Sequence, residues 1–301
     1  KAAHRPVRQF GRDLTVGIGQ DLNVSGAAEA GRDLTFIVGG YVDLANVTAG
    51  RHVSITSGEF INIDDSVTAG GNILLATANG GITVGNGVIS TGVPYQGELL
   101  SGNIQLTATG DIRATTVSSA LGNVDAEGHH LSFDNLFAEQ DVNLLALGAI
   151  VVNESVSGGD QDWFANEDIS FQRLLAGGQV LLDSLLDTRG DQVVADAGLT
   201  VNAGWRAGVA SPANIQFRQV VAPSMSLWAG SAIEVADAQL GQSADLHAQD
   251  VQLTAEHTGT GTLQLLAEGL NNSGAAGDRL LVRLQASAVN TSLLDMVYTD
   301  F

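Results

Sequence analysis

Residues 11–46 read GRDLTVGIGQDLNVSGAAEAGRDLTFIVGGYVDLAN, and this stretch decides the fold. Gly11-Arg12-Asp13-Leu14-Thr15-Val16 returns twenty positions later as Gly31-Arg32-Asp33-Leu34-Thr35-Phe36. A weaker copy, Gly19-Gln20-Asp21-Leu22-Asn23-Val24, is echoed by Gly40-Tyr41-Val42-Asp43-Leu44. Each repeat of about twenty residues therefore carries two short motifs, and self-similarity at that period signals a stacked-repeat architecture.

Glycine is expected to supply a bend with unusual backbone angles. After it the residues alternate: Asp13 out, Leu14 in, Thr15 out, Val16 in. Alternation bounded by glycine marks a short half-buried strand. Neither the leucine-rich-repeat consensus nor the glycine-rich calcium nonapeptide is present. The expectation is an all-β, right-handed, single-stranded parallel β-helix with coils of about 19–22 residues.

The coils can be followed by their aliphatic ladders. One ladder reads Leu14, Leu34, Val53, Ile73. A second reads Leu22, Val42, Ile61, Ile82, Ile104, Val124, Val142, and Ile112, Leu131, Ile150, Ile169 are taken to continue the first. Residues 1–10, with Pro6, form an N-terminal arm or the end of a preceding coil, and 11–301 form a continuous shaft. That shaft is regular over 11–150 and more irregular over 151–301. Three stretches break the rhythm as inserted loops: 90–102, 153–168 and 202–214. The chain opens on Lys1, close to the first repeat, and reads as a piece of something longer.

Composition narrows the function classes. Glycine contributes 37 of 301 residues and proline 4, which suits many bends and few rigid kinks. The formal net charge of −20 argues against nucleic acid or an anionic membrane surface as partner. There is no cysteine, hence no disulfide or thiolate metal site, and no run of 18 apolar residues that would span a bilayer as a helix.

Several residues are candidates for chemistry. Asp160, Asp162, Glu167 and Asp168 in the acidic stretch could hold calcium; the plainer reading is solvated charge in an acidic protein. Tyr95, Trp163 and Trp205 fall in the three irregular stretches, where exposed aromatics would stack on glycan rings or cap their own loops. Trp228, beside Leu227, is expected to pack between coils or against a flanking loop. His129 and His130, read as strand neighbours facing opposite ways, should not converge on one metal. No nucleophile elbow is present, so no catalytic residue is assigned. The recurring Arg12, Arg32 and Arg51 read as repeat ancestry and solvation.

The Gly-x-Asp-Leu-x-Val repeats resemble the haemagglutinin-type repeats of filamentous-haemagglutinin-like exoproteins. The segments that carry the resemblance are 11–16, 19–24, 31–36, 50–55, 71–75, 102–106 and 178–182, and it is strongest over 11–150. Those proteins are large bacterial adhesins exported by two-partner secretion. The resemblance implies a right-handed parallel β-helical shaft at the cell surface or in the extracellular matrix. It implies a role in adhesion, aggregation or biofilm formation, with an outer-membrane transporter as partner during export. The receptor would be a host or bacterial glycan, an exopolysaccharide or a protein. The family's Asn-Pro-Asn-type secretion motif does not occur, so the chain corresponds to shaft. The rival expectations are a polysaccharide-binding or polysaccharide-degrading β-helix and an autotransporter passenger.

Overall fold

A computed structural model describes residues 12–97, 100–206, 209–258, 263–268, 279–285 and 294–299. The arm 1–10, Gly11 and Gly261 lie outside the described residues. Among the described residues there are strands, bends and turns and no helix, and the main sheet is a parallel β-solenoid. The chain divides into two compact units, Lys1–Gly158 and Gly159–Phe301.

In the first unit, two columns of strands rise side by side. The first column stacks Leu14–Ile18, Leu34–Val38, Val53–Ser57, Ile73–Thr77, Ile104–Thr107, Val124–Gly128 and Val142–Ala146, each parallel to the next. The second column begins with Leu22–Ala30 and Val42–Ala49, continues through Ile82–Ser90 and Ile112–Ser119, and ends with Leu131–Ala138 and Ile150–Ser157. Strands of the second column turn a corner midway. In Ile112–Ser119 the residues Ile112, Ala114, Val117 and Ser119 are buried, while Thr115 and Thr116 both face outward. Two outward residues in succession shift the period-two alternation by one step, which directs the rest of the strand onto a second face of the same core. One coil splits there completely, into Ile61–Ile63 and Ser66–Ala69.

Burial follows the alternation read from the repeat. Leu34, Ile73, Ile82, Ile104, Ile112 and Leu131 are essentially inaccessible. Each such side chain contributes on the order of 1.5–3 kcal/mol of burial free energy. The ladders, however, connect differently beyond the insertion. Ile73 stacks on Ile104, and Ile82 on Ile112. Ile104, Val124 and Val142 therefore continue the first ladder, whereas Ile112, Leu131 and Ile150 continue the second. The irregular segment between Ser90 and Ile104 lengthens one coil, so that equivalent positions Asn72 and Asn103 are 31 residues apart, against 20 for Asn103 and Asn123. The surplus is close to half a coil, and a step from Ile82 to Ile104 then imitates one repeat.

The second unit is likewise built of two columns of parallel strands. Gln161–Ala165, Gln179–Ser184 and Gly198–Ala203 stack in one, and Ile169–Ala176 and Thr188–Ala195 in the other. From Asn214 the link between the two columns is itself strand, and Asn214–Ala229 and Ala232–His247 each run through both columns as single long strands. The backbones of Arg279–Gln285 and Leu294–Thr299 continue the columns. The stretch 153–168 is not an inserted loop. It comprises the end of Ile150–Ser157, a short bend, and the strand Gln161–Ala165. Gln161 sits at an inward ladder position opposite Val180, and a polar residue there hid the strand from a hydrophobicity reading. The stretch 202–214 does leave the shaft, as a small antiparallel hairpin of Trp205–Arg206 against Val209–Ala210.

Apart from Gly102, which has the expected left-handed backbone, the described bend glycines serve a different purpose from the expected one. Gly40, Gly71, Gly122, Gly148 and Gly178 have no positive φ. A Cβ at Gly40 would instead overlap Asp21 Oδ1 of the preceding coil; at Gly122 it would overlap Asn103 Oδ1, and at Gly178 Asp160 Oδ1. These glycines make room for a side chain arriving from the coil before. Left-handed backbone occurs chiefly in the 91–103 insertion, at Gly92, Gln96, Gly97 and Gly102, and at Gly204 beneath the hairpin.

Candidate functional site

The acidic position of the repeat sits immediately before the first inward residue of a strand, and there it does structural work. Asp21 Oδ1 accepts the backbone N–H of Tyr41 at 3.3 Å, and Asn103 Oδ1 that of Asn123 at 3.1 Å. Two histidines take the same role: His52 Nδ1 accepts the N–H of Asn72, and His130 Nδ1 that of Ala149, both at 2.9 Å. Each side chain satisfies a bend amide that the strand ladder does not use.

Two of the four candidate calcium ligands belong to this series. Asp160 Oδ1 accepts the N–H of Gln179 at 2.7 Å, and Asp168 Oδ1 that of Asp187 at 2.9 Å. Asp162 and Glu167 are exposed. Partial desolvation, followed by the neighbouring Asp160 charge, pushes the Asp162 carboxyl above its ordinary range. Asp160 and Asp162 lie at the first column, while Glu167 and Asp168 lead into the second, so one bend does not gather all four.

Among the described residues, the cluster that does bring three metal-type ligand atoms together, within 4.8 Å, is Asp111, His129 and His130. The imidazoles meet edge-on with centroids 4.3 Å apart. The expected divergence fails because both histidines occupy the bend before Leu131, where strand alternation does not apply. Their hydrogen bonds nevertheless oppose metal binding. His130 accepts through Nδ1, so the neutral ring carries its proton on Nε2 and has no second lone pair to offer. Asp111 already receives the His130 N–H at 3.3 Å, lies 3.4 Å from His129 Nδ1, and receives Arg113 Nη2 at 2.9 Å. The cluster is a hydrogen-bonded bend with a guanidinium where a cation would compete.

The aromatic candidates separate. Trp163 is fully buried, edge-on to Phe171 at 5.8 Å, and is therefore core, not a glycan platform. It shares the inward side of its strand with Gln161 and Ala165. Tyr95 is half-buried, with its ring edge against Gly50, and holds the 91–103 insertion down on a bend. The Trp205 backbone lies in the small hairpin; its side chain is outside the described residues. Trp228 is half-buried and stacks on His247 of the following coil at 3.6 Å, as expected of a residue packed between coils. The arginine column forms an ion ladder. Arg51 clasps Asp33 with Nε and Nη2 at 2.9 and 2.6 Å, and Arg32 clasps Asp13. The one-coil offset places each guanidinium on the carboxylate of the coil before instead of on another arginine.

Sequence reasoning missed a groove on the second unit, with a volume of about 410 Å³. Ser170, Arg189, Gln216 and Glu234 follow one another in register across four coils and form one wall. Asp191 and Arg218 stand across from them, and Gly190 with the largely buried Phe171 and Phe217 forms the floor. The depression arises because glycine occupies an inward position between two phenylalanines, whose rings close to 6.0 Å across it. The Phe171 ring fills the space where a Gly190 side chain would project. The available signal was Arg189-Gly190-Asp191, a glycine where each neighbouring coil carries an aromatic. No family model matches the chain, and no curated protein or solved structure matches it.

Proposed function

We propose that this chain is a β-helical shaft segment of a large secreted bacterial surface adhesin of the filamentous-haemagglutinin kind. The observation carrying this reading is the register: motif stacks on motif, Leu14 on Leu34 on Val53 on Ile73. Such a solenoid grows by adding coils, each needing only its neighbours, which suits a projecting scaffold. Weak contacts repeated along it would add through avidity. The cysteine-free sequence is compatible with passage of an unfolded chain through an outer-membrane transporter. Antibodies raised against this chain should label intact cells of the parent organism, and in-frame removal of whole coils should reduce adherence or aggregation. Labelling confined to lysed cells would contradict the proposal.

A second reading, a polysaccharide-binding or polysaccharide-degrading β-helix, is favoured by the groove over Gly190. It places Asp191 and Glu234 together with Arg189 and Arg218.

A further inference from the structure

We propose that the groove over Gly190 binds a neutral saccharide chain laid across successive coils. The proposal gives the adhesin its receptor class and rests on that reading for its biological setting; the geometry stands without it.

The size fits first. A volume of about 410 Å³ lies within the range of small-ligand sites, and the floor is closed by the largely buried Phe171 and Phe217, with the Phe171 ring covering Gly190.

The polar groups fit next. Among the described residues, no hydrogen bond or ion pair engages the side chains of Arg218, Asp191, Gln216 or Glu234. Outward polar residues elsewhere on the shaft satisfy one another: Asn23 and Asn62 both donate to Asp43 at 2.9 Å, and Asn143 donates to Asp125 at 2.7 Å. In the groove the donors and acceptors are left for a ligand. Arg218 and Gln216 donate, Asp191 and Glu234 accept, and Ser170 can do either. A sugar hydroxyl also donates and accepts at once, so it can bridge a guanidinium and a carboxylate.

Charge selects within the saccharides. Arg189 is paired to Asp187 and is largely spent. Asp191 and Glu234 more than balance Arg218, and the whole chain carries −20. An anionic glycan would meet repulsion from both the groove and the long-range field. A cationic ligand would face the Arg218 guanidinium at contact. A hydroxyl-rich neutral chain avoids both costs.

The test uses the purified chain with a panel of short neutral oligosaccharides built from glucose, galactose, mannose, xylose or N-acetylglucosamine. A second panel contains oligogalacturonate, hyaluronan and heparin fragments. Saturation-transfer NMR identifies binders and calorimetry gives affinities. At least one neutral chain is expected to bind. Arg218→Ala and Glu234→Ala should each weaken it about tenfold. Ala236→Trp, which fills the groove from an exposed position, should abolish binding while the thermal melt stays unchanged. Binding to the anionic panel alone, binding that survives Ala236→Trp in a folded protein, or no binding to any neutral chain would each overturn the proposal. These outcomes are separable from the shaft reading, which the cell-labelling experiment tests.

Discussion

At the residue scale the structure is held in phase by side chains that reach from one coil to a backbone amide of the next. His130 and Gly148 show how the two halves of the motif depend on each other. The imidazole caps the Ala149 N–H, and it fits only because Gly148 has no Cβ; a methyl there would overlap the ring. His130→Ala should cost about 1–3 kcal/mol in denaturant unfolding, because a bend amide loses its acceptor. Gly148→Ala should also destabilise. Combining the two should cost less than their sum, since removing the ring removes the overlap; strict additivity would contradict the contact.

The arginine clasps make stability depend on acid. The Arg51 guanidinium holds the Asp33 carboxyl below the ordinary aspartate value near 3.8, and Arg32 does the same for Asp13. A carboxyl whose pKa is lower when folded stabilises the fold fully above that ordinary value, and the contribution disappears as pH falls through the lowered one. The urea midpoint of Arg51→Gln should therefore lie below that of the parent at neutral pH, and the two should converge in strong acid. A gap that widened on acidification would have the wrong sign.

At the element scale the strands obey period two except where the chain turns its corner. Inward residues of the first four coils were legible for this reason: Leu14, Leu34, Val53 and Ile73 recur after a glycine in an unbroken rhythm. What followed was harder to read, for two physical reasons. The 91–103 insertion adds nearly half a coil, and spacing alone then joins Ile82 to the wrong ladder. At Gln161 a buried glutamine, whose amide donates to the Leu175 carbonyl at 2.7 Å, replaces the expected aliphatic residue, so Asp160 and Asp162 looked like part of a loop. Trp163 was displaced from core to surface by that same misreading. Trp163→Ala should cost about 3–5 kcal/mol, as for a large core truncation. A loss below 1 kcal/mol would return the tryptophan to the surface. The groove was illegible in sequence because it depends on which residues align across coils, not on any motif.

At the scale of the whole molecule, each unit is a stack in which a coil touches the ones before and after it. A net charge of −20 on such a stack would be self-repelling if like charges aligned. Outward rows alternate instead: Asn23, Asp43 and Asn62 form one row, and Asn46 and Asn86 flank Asp65 in another. Each of these carboxylates thus lies between amide donors. Such pairing lowers the repulsion between successive coils along these rows.

The order in which the coils stack is directly measurable, because the chain contains no cysteine of its own. Thr83 lies beside Arg113 in the parallel ladder across the insertion. Adjacent strands lie about 4.8 Å apart, within disulfide range. Thr83→Cys combined with Arg113→Cys should form a disulfide under mild oxidation, seen as a mass loss of two hydrogens and a shifted non-reducing gel band. Thr83→Cys combined with Gln105→Cys, the pairing implied by an uninterrupted repeat, should stay reduced. The reverse pattern would contradict the stacking order.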